Sequence, residues 1–172
     1  AEAWWDGLAP ARRVVMAAQG DAFVTEPRQL EGVRIVEAYY LVDEEGRCLV
    51  NVAETARGVA NLDAGSLFGG VSTVAYSGTQ AVLNNVQAYR YDVPSAAASF
   101  PVIRSGAGST VDMLGELWVA PEQGIVVRYY VNADVRHVYL FEGEWPVSGQ
   151  VFIRYDVYDV GAVPNISIPF GC

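Results

Sequence analysis

The sequence predicts an α+β chain, mostly β, built on a curved antiparallel sheet (a half-barrel) with one or a few short helices against its concave side. Three observations carry that expectation. From Val111 to Phe170 strand-like runs follow one another, namely Val111–Ala120, Ile125–Asn132, Val135–Phe141 and Val151–Val160, each bounded by Gly, Pro or acidic turn residues. These runs are rich in Val, Ile, Tyr and Trp, which fit a pleated, half-buried surface. Few residues carry a helical period, so strands must supply most of the core.

Taken in order, the chain opens on a helical signal. Pro10 suits a first helical turn, Ala11, Val14, Val15 and Ala18 recur at i, i+3, i+4 and i+7, and Gly20 is a natural stop. This spacing predicts a helix over Pro10–Gln19, with Trp4, Trp5 and Leu8 packing beside it. A hairpin follows, with Val33–Val42 and Arg47–Val52 flanking the turn Asp43-Glu44-Glu45-Gly46. Glu54–Phe68 has no clean period and accommodates a short helix or turn around Ala60–Leu67. Strands are expected at Val71–Tyr76 and Ala81–Val93, with Asn84-Asn85 inside the second marking a turn or a bulge, since Asn tolerates positive φ. Pro94–Ser109 reads as a long loop, either a surface connector or a flap whose apolar tip centres on Phe100. The chain is read as a single domain over residues 1–172, with an N-terminal helical segment at 1–20 and the loop at 94–109.

Composition narrows the function. The 52% hydrophobic content excludes a mainly disordered chain. No apolar run reaches the roughly 18–20 residues of a membrane helix, which predicts a soluble chain. The net charge of −9 argues against nucleic acid and against electrostatic attachment to anionic lipid. The opening AEAWWDG lacks an initiator Met and a signal segment, as expected of a removed leader or of a fragment. Cys48 and Cys172 either pair, tying the end of the chain to the sheet as in an exported protein, or stand as a buried small hydrophobe and a free thiol.

Alternation splits the late strands into faces. Val151, Ile153, Tyr155 and Val157 share one face with Ile125, Val127, Tyr129 and Val131, and with Met113, Gly115, Leu117 and Val119. The other face mixes aromatics with charges: Leu114, Glu116, Trp118, Val126, Arg128, Tyr130, Asn132, Phe152, Arg154, Asp156 and Tyr158. The apolar set is either filled by the protein's own side chains or open to a ligand.

Catalytic and metal signals are weak. His137 is the single histidine and lies within a strand, and no Gly-x-Ser-x-Gly elbow accompanies it. The acidic pairs Glu142/Glu144 and Asp156/Asp159 flank turns, whereas glycoside hydrolysis needs two carboxyls facing one cleft about 5–10 Å apart. Gly69-Gly70 and Gly106-Ala107-Gly108 lack the Lys and the strand-to-helix context of a phosphate loop. No enzyme, no cofactor and no metal are expected. Four Trp and ten Tyr are the best binding material, with Trp118, Trp145, Tyr129, Tyr130, Tyr139 and Tyr155 able to line a cavity or pack a core.

The series Gly115-Glu116-Leu117-Trp118-Val119-Ala120, Gly124-Ile125-Val126-Val127-Arg128-Tyr129-Tyr130, Gly149 with Tyr155-Asp156-Val157, and Ile166-Ser167-Ile168-Pro169 before Cys172 resembles exported lipoproteins of Chloroflexi-type bacteria. More distantly it resembles the LolA/LolB and LppX/LprG half-barrel families. Asn85-Val86-Gln87-Ala88-Tyr89-Arg90-Tyr91 is similar to a strand of such proteins, with Asn85 where Gly is usual. The resemblance covers residues 75–172. It implies a monomeric carrier, exported to the cell envelope or beyond, that holds lipid or another apolar small molecule, with envelope proteins as further partners. The expected lining is Met113, Leu117, Trp118, Val127, Tyr129, Ile153 and Tyr155, with Phe100 from the loop. Burying acyl chain yields about 0.8 kcal/mol per methylene, enough for affinity without catalytic groups. The alternative is an envelope structural or protein/glycan-interaction β-module without a ligand cavity.

Overall fold

Nine strands and one short helix make up the computed structural model, which describes residues 1–6, 11–20, 24–63, 69–95, 98–140, 143–162 and 164–172. The mostly-β α+β class holds. The strands form two antiparallel sheets, one of four and one of five, where a single sheet was expected. The chain divides into two compact units, 1–63 with 162–172, and 64–161.

In the first unit β1 (Glu2–Asp6), β2 (Ala11–Gly20), β3 (Val24–Ile35) and β4 (Ala38–Asp43) pair consecutively. The helix expected over Pro10–Gln19 is strand β2 (Pro10 itself lies outside the described residues). Its helical spacing was real, but Val14 and Val15 are β-branched, and pairing with β1 and β3 on both sides overrides a weak local preference. The run Val33–Val42 is not one strand. It breaks at Val36, whose φ is 57°, a conformation in which a β-branched side chain is an outlier. The turn at Asp43–Gly46 is present, with the Gly46 amide donating to the Asp43 carbonyl at 3.0 Å. Its second arm is reduced to one bridge between Cys48 and Val42.

Helix α1 (Ala53–Ala60) lies on this sheet, upstream of the expected Ala60–Leu67 segment, of which 64–67 lie outside the described residues. Its seat is Gly32, where an added Cβ would stand 2.6 Å from the Ala60 nitrogen. Ala56 and Val59 bury against Leu41, with Met16, Leu30 and Tyr39 packed around them. The helix end is held by side chains from the same sheet face: Arg12 donates to the Leu62 carbonyl, and Arg34 reaches Asn61 Oδ1 at 3.4 Å. Cys48 and Cys172 form a disulfide within this unit.

In the second unit β5 (Ala75–Leu83), β6 (Val86–Val93), β7 (Ile103–Ala120), β8 (Ile125–Leu140) and β9 (Val147–Asp156) run as an antiparallel meander. Asn84 and Asn85 make the β5–β6 turn with φ of 50° and 67°, the positive pair that a two-residue hairpin loop of right-handed twist demands. Asn84 Nδ2 also donates to the Val157 carbonyl at 2.7 Å, fastening this turn to the segment after β9.

Three further expectations shift here. The strand placed at Val71–Tyr76 starts at Ala75, and Val71 makes only a bridge to Ala98. The loop Pro94–Ser109 ends early, because β7 begins at Ile103 and a bulge absorbs Gly106–Ser109, Ser109 Oγ accepting from the Gly106 amide at 2.7 Å. Ile125–Asn132 and Val135–Phe141 merge into β8, since Ala133 and Asp134 continue the ladder instead of turning; Phe141 lies outside the described residues.

Candidate binding surface

The five-stranded sheet presents two faces made by alternate residues. On one, Val131, Ala133 and Val135 of β8 are buried with Val93 of β6, Met113 of β7 and Ile153 of β9. Phe100, from the segment before β7, is buried in the same cluster, with Val71, Ala98, Val102 and Ile103 beside it. This face is therefore closed by the chain's own residues, and Phe100 is part of its core instead of the tip of a flap.

The residues expected to line a ligand divide between the two sides. Met113, Tyr129, Ile153 and Phe100 belong to the closed cluster, and Leu117 and Tyr155 pack against it. Trp118 and Val127 do not join them; they are buried together with Ala88 and Ala120. The reason is a bulge. Trp118 pairs with Arg128 and Val119 with Val126, which leaves Val127 as an extra residue turned to Trp118's side. Trp118 is consequently only 9% exposed. Burial pushes the Tyr129 hydroxyl's pKa up, and that hydroxyl has no hydrogen-bond partner among the described residues.

Away from that buried cluster, the opposite face stays open. Cross-strand rows read Asp112–Asp134–Gln150, then Leu114–Asn132–Phe152, then Glu116–Tyr130–Arg154, then Trp118–Arg128–Asp156. Leu114 is 81% exposed, Phe152 61% and Tyr158 60%. The Tyr130 ring meets Phe152 edge to face, centroids 5.0 Å apart, a geometry aromatic quadrupoles favour. Ion pairs frame one end. Arg128 Nε donates to Asp156 Oδ1 at 2.6 Å, Arg154 holds the other carboxylate oxygen, and the Tyr158 hydroxyl lies against Arg154. Burial pushes the Asp156 carboxyl up, but hydrogen bonds from Arg128 and Arg154 outweigh it and hold the group below the usual carboxylate range. Arg90 bridges Asp92 at 3.1 Å and Glu116 at 3.2 Å, while the indole N–H of Trp118 donates to Glu116 at 3.0 Å.

The opposite end is different. Asp112 and Asp134 are exposed register partners, and neither has an ion pair or hydrogen bond among the described residues. The register that brings them together joins two strands and is invisible in the sequence alone, where Asp134 fell between two expected strands.

The remaining chemical candidates do not assemble. His137 sits at a second bulge with φ 51°, its amide donating to Ser148 Oγ at 3.0 Å and its carbonyl accepting from Ser109, with its own side chain exposed. Arg104, Ser105, Tyr139, Gly143 and Glu144 line an open groove of about 470 Å³, with the Arg104 guanidinium 5.7 Å from the Tyr139 ring centre and donating to the Gly143 carbonyl. Glu142 lies outside the described residues, and Asp156 is engaged by arginines. Among the described residues no group of three or more His, Cys, Asp or Glu gathers to hold a metal. Trp145 is exposed in the segment before β9.

No family model, no curated protein and no solved structure matches this chain.

Proposed function

We propose that this protein is a non-catalytic interaction module whose working surface is the open face of the five-stranded sheet. The observation that carries the reading is the exposure of Leu114 and Phe152 in one cross-strand row, with exposed Tyr158 just past the end of β9, on a sheet whose reverse side is already covered by the chain itself. Clustered exposed apolar side chains rimmed by polar groups mark binding surfaces, whereas scattered single ones do not. The ion-paired frame of Arg128, Arg154 and Asp156 supports the same reading, because it holds the aromatic rings among side chains that are already fixed in place. The proposal sets the protein in an exported, oxidising compartment such as the cell envelope, and the Cys48–Cys172 disulfide supports that setting.

The competing proposal is the carrier of lipid or another apolar molecule that the half-barrel resemblance implies. It is the weaker one, because Met113, Tyr129, Ile153 and Phe100 are occupied in packing one another. Native mass spectrometry and lipid extraction, on protein purified from its own host without detergent, separate the two. The interaction reading expects the mass of the bare chain and an empty extract. A stoichiometric lipid in the extract overturns it.

A further inference from the structure

We infer that the open face of the five-stranded sheet takes a cationic polypeptide segment, one basic side chain seated between Asp112 and Asp134 and an apolar neighbour resting on Leu114 and Phe152. The inference depends on that face being the binding surface and adds the chemistry of what binds there.

Asp112 faces Asp134 directly across β7 and β8, a placement that sets the two Cβ atoms about 4.5–5.5 Å apart and is destabilising for like charges. Elsewhere on this face each carboxylate of the frame is matched: Asp92 and Glu116 by Arg90, and Asp156 by Arg128 and Arg154. The Asp112–Asp134 pair has no ion pair among the described residues, the exposed Arg136 lying one row further along β8, and it borders the exposed Leu114–Asn132–Phe152 row. A guanidinium or ammonium placed between the two carboxylates removes their repulsion and gains two charge-assisted contacts at once. An aliphatic or aromatic residue adjacent to that cation falls on Leu114 and Phe152.

Charge selects among occupants. A second copy of this chain, at net charge −9, brings an identical acidic pair and a neutralised frame. An anionic lipid surface is repelled, and a neutral glycan uses the rings but gains nothing from the two carboxylates. A basic, partly apolar polypeptide uses both.

The test is an NMR titration of the intact isotope-labelled chain with a short synthetic peptide alternating Arg with Leu or Tyr. The comparison probes are the same peptide with Glu for Arg, a cello-oligosaccharide, and phosphatidylglycerol vesicles. The expected result is saturable shift changes at Asp112, Leu114, Asp134 and Phe152 with the Arg peptide only, weakened by salt. Asp112→Asn and Asp134→Asn each lower its affinity about two- to fivefold, the scale of an exposed ion pair. Both variants lose a repulsion, so they remain folded and report binding cleanly. Equal binding of the Glu peptide, unchanged affinity in the Asn variants, or preferential binding of the oligosaccharide at these residues overturns the cationic partner while leaving the face as the binding surface. Shifts absent from this face with every probe, together with lipid in the purified protein, overturn both.

Discussion

The two faces of the five-stranded sheet are written by alternate residues of the same strands, yet one is finished and the other is not. Ile153 and Phe152 are neighbours in β9; the first is buried among Met113, Val131 and Phe100, the second is 61% exposed beside Tyr130. The four-stranded sheet covers one of its faces with a helix seated at Gly32. The five-stranded sheet achieves the same with an irregular segment, in which Phe100 supplies the bulk and Val71, Ala98 and Val102 fill around it. A covered face needs nothing from outside. A face that keeps Leu114, Phe152 and Tyr158 in water carries a standing cost that binding can relieve.

The comparison breaks first at Phe100. Phe100→Ala should cost about 3–5 kcal/mol of the stability of the second unit, read by denaturant unfolding, because it leaves a cavity under the segment that closes the sheet. A loss below about 1 kcal/mol would mean that the segment is not part of the core. Next come adjacent substitutions in β9. Ile153→Ala should cost about 2–5 kcal/mol, while Phe152→Ala should stay within roughly 0.5 kcal/mol of the parent, since the one opens a cavity and the other trims a surface. Similar losses at both positions would erase the distinction between the faces.

Acid sharpens it further. The folded Asp156 carboxyl is held below its unfolded value, near 3.9. Its stabilising contribution is therefore complete above that value and lost as pH falls through the lower folded one. Asp156→Asn should lower stability at neutral pH by about 1.5 kcal/mol, the scale of hydrogen bonds to charged groups, and should flatten the acid limb of the second unit's unfolding curve. An unchanged acid limb would show that the frame is not formed.

Tyr129→Phe should raise stability by about 1 kcal/mol, because it removes a buried hydroxyl with nothing to bond among the described residues. A loss on that substitution would reveal a partner for the hydroxyl. The smallest effect is expected at Asp134→Asn, a gain of about 0.2–1 kcal/mol from relieving the pair with Asp112. A destabilisation there would mean the two carboxylates do not face each other.

Much of the second unit was legible. Asn84-Asn85 announced its turn because Asn reaches positive φ, and period-two alternation separated Val131 and Ile153 from Phe152 and Arg154. What failed, failed for local reasons. Val36 takes a left-handed turn conformation that a β-branched residue signals against, so Val33–Val42 read as unbroken strand. Ala11, Val14, Val15 and Ala18 matched a helix by spacing, while their strand partners lay elsewhere in the chain. Alternation put Trp118 on the mixed face although it was also expected in the ligand lining, which it does not join; the bulge that turns Val127 toward it depends on register between β7 and β8, which no single strand encodes. The same holds for the Asp112–Asp134 pair and for the division of nine strands into two sheets.

Methyl-resolved NMR of the intact chain during titration with oleate, alongside a soluble paramagnetic agent, examines the two faces at once. The Met113, Val131 and Ile153 methyls should be shielded from the agent and unmoved by oleate, while the Leu114 methyls are broadened. Oleate-dependent shifts at Met113, Val131 and Ile153 would show that the covered face opens to an apolar guest, and would contradict the assignment of binding to the other side.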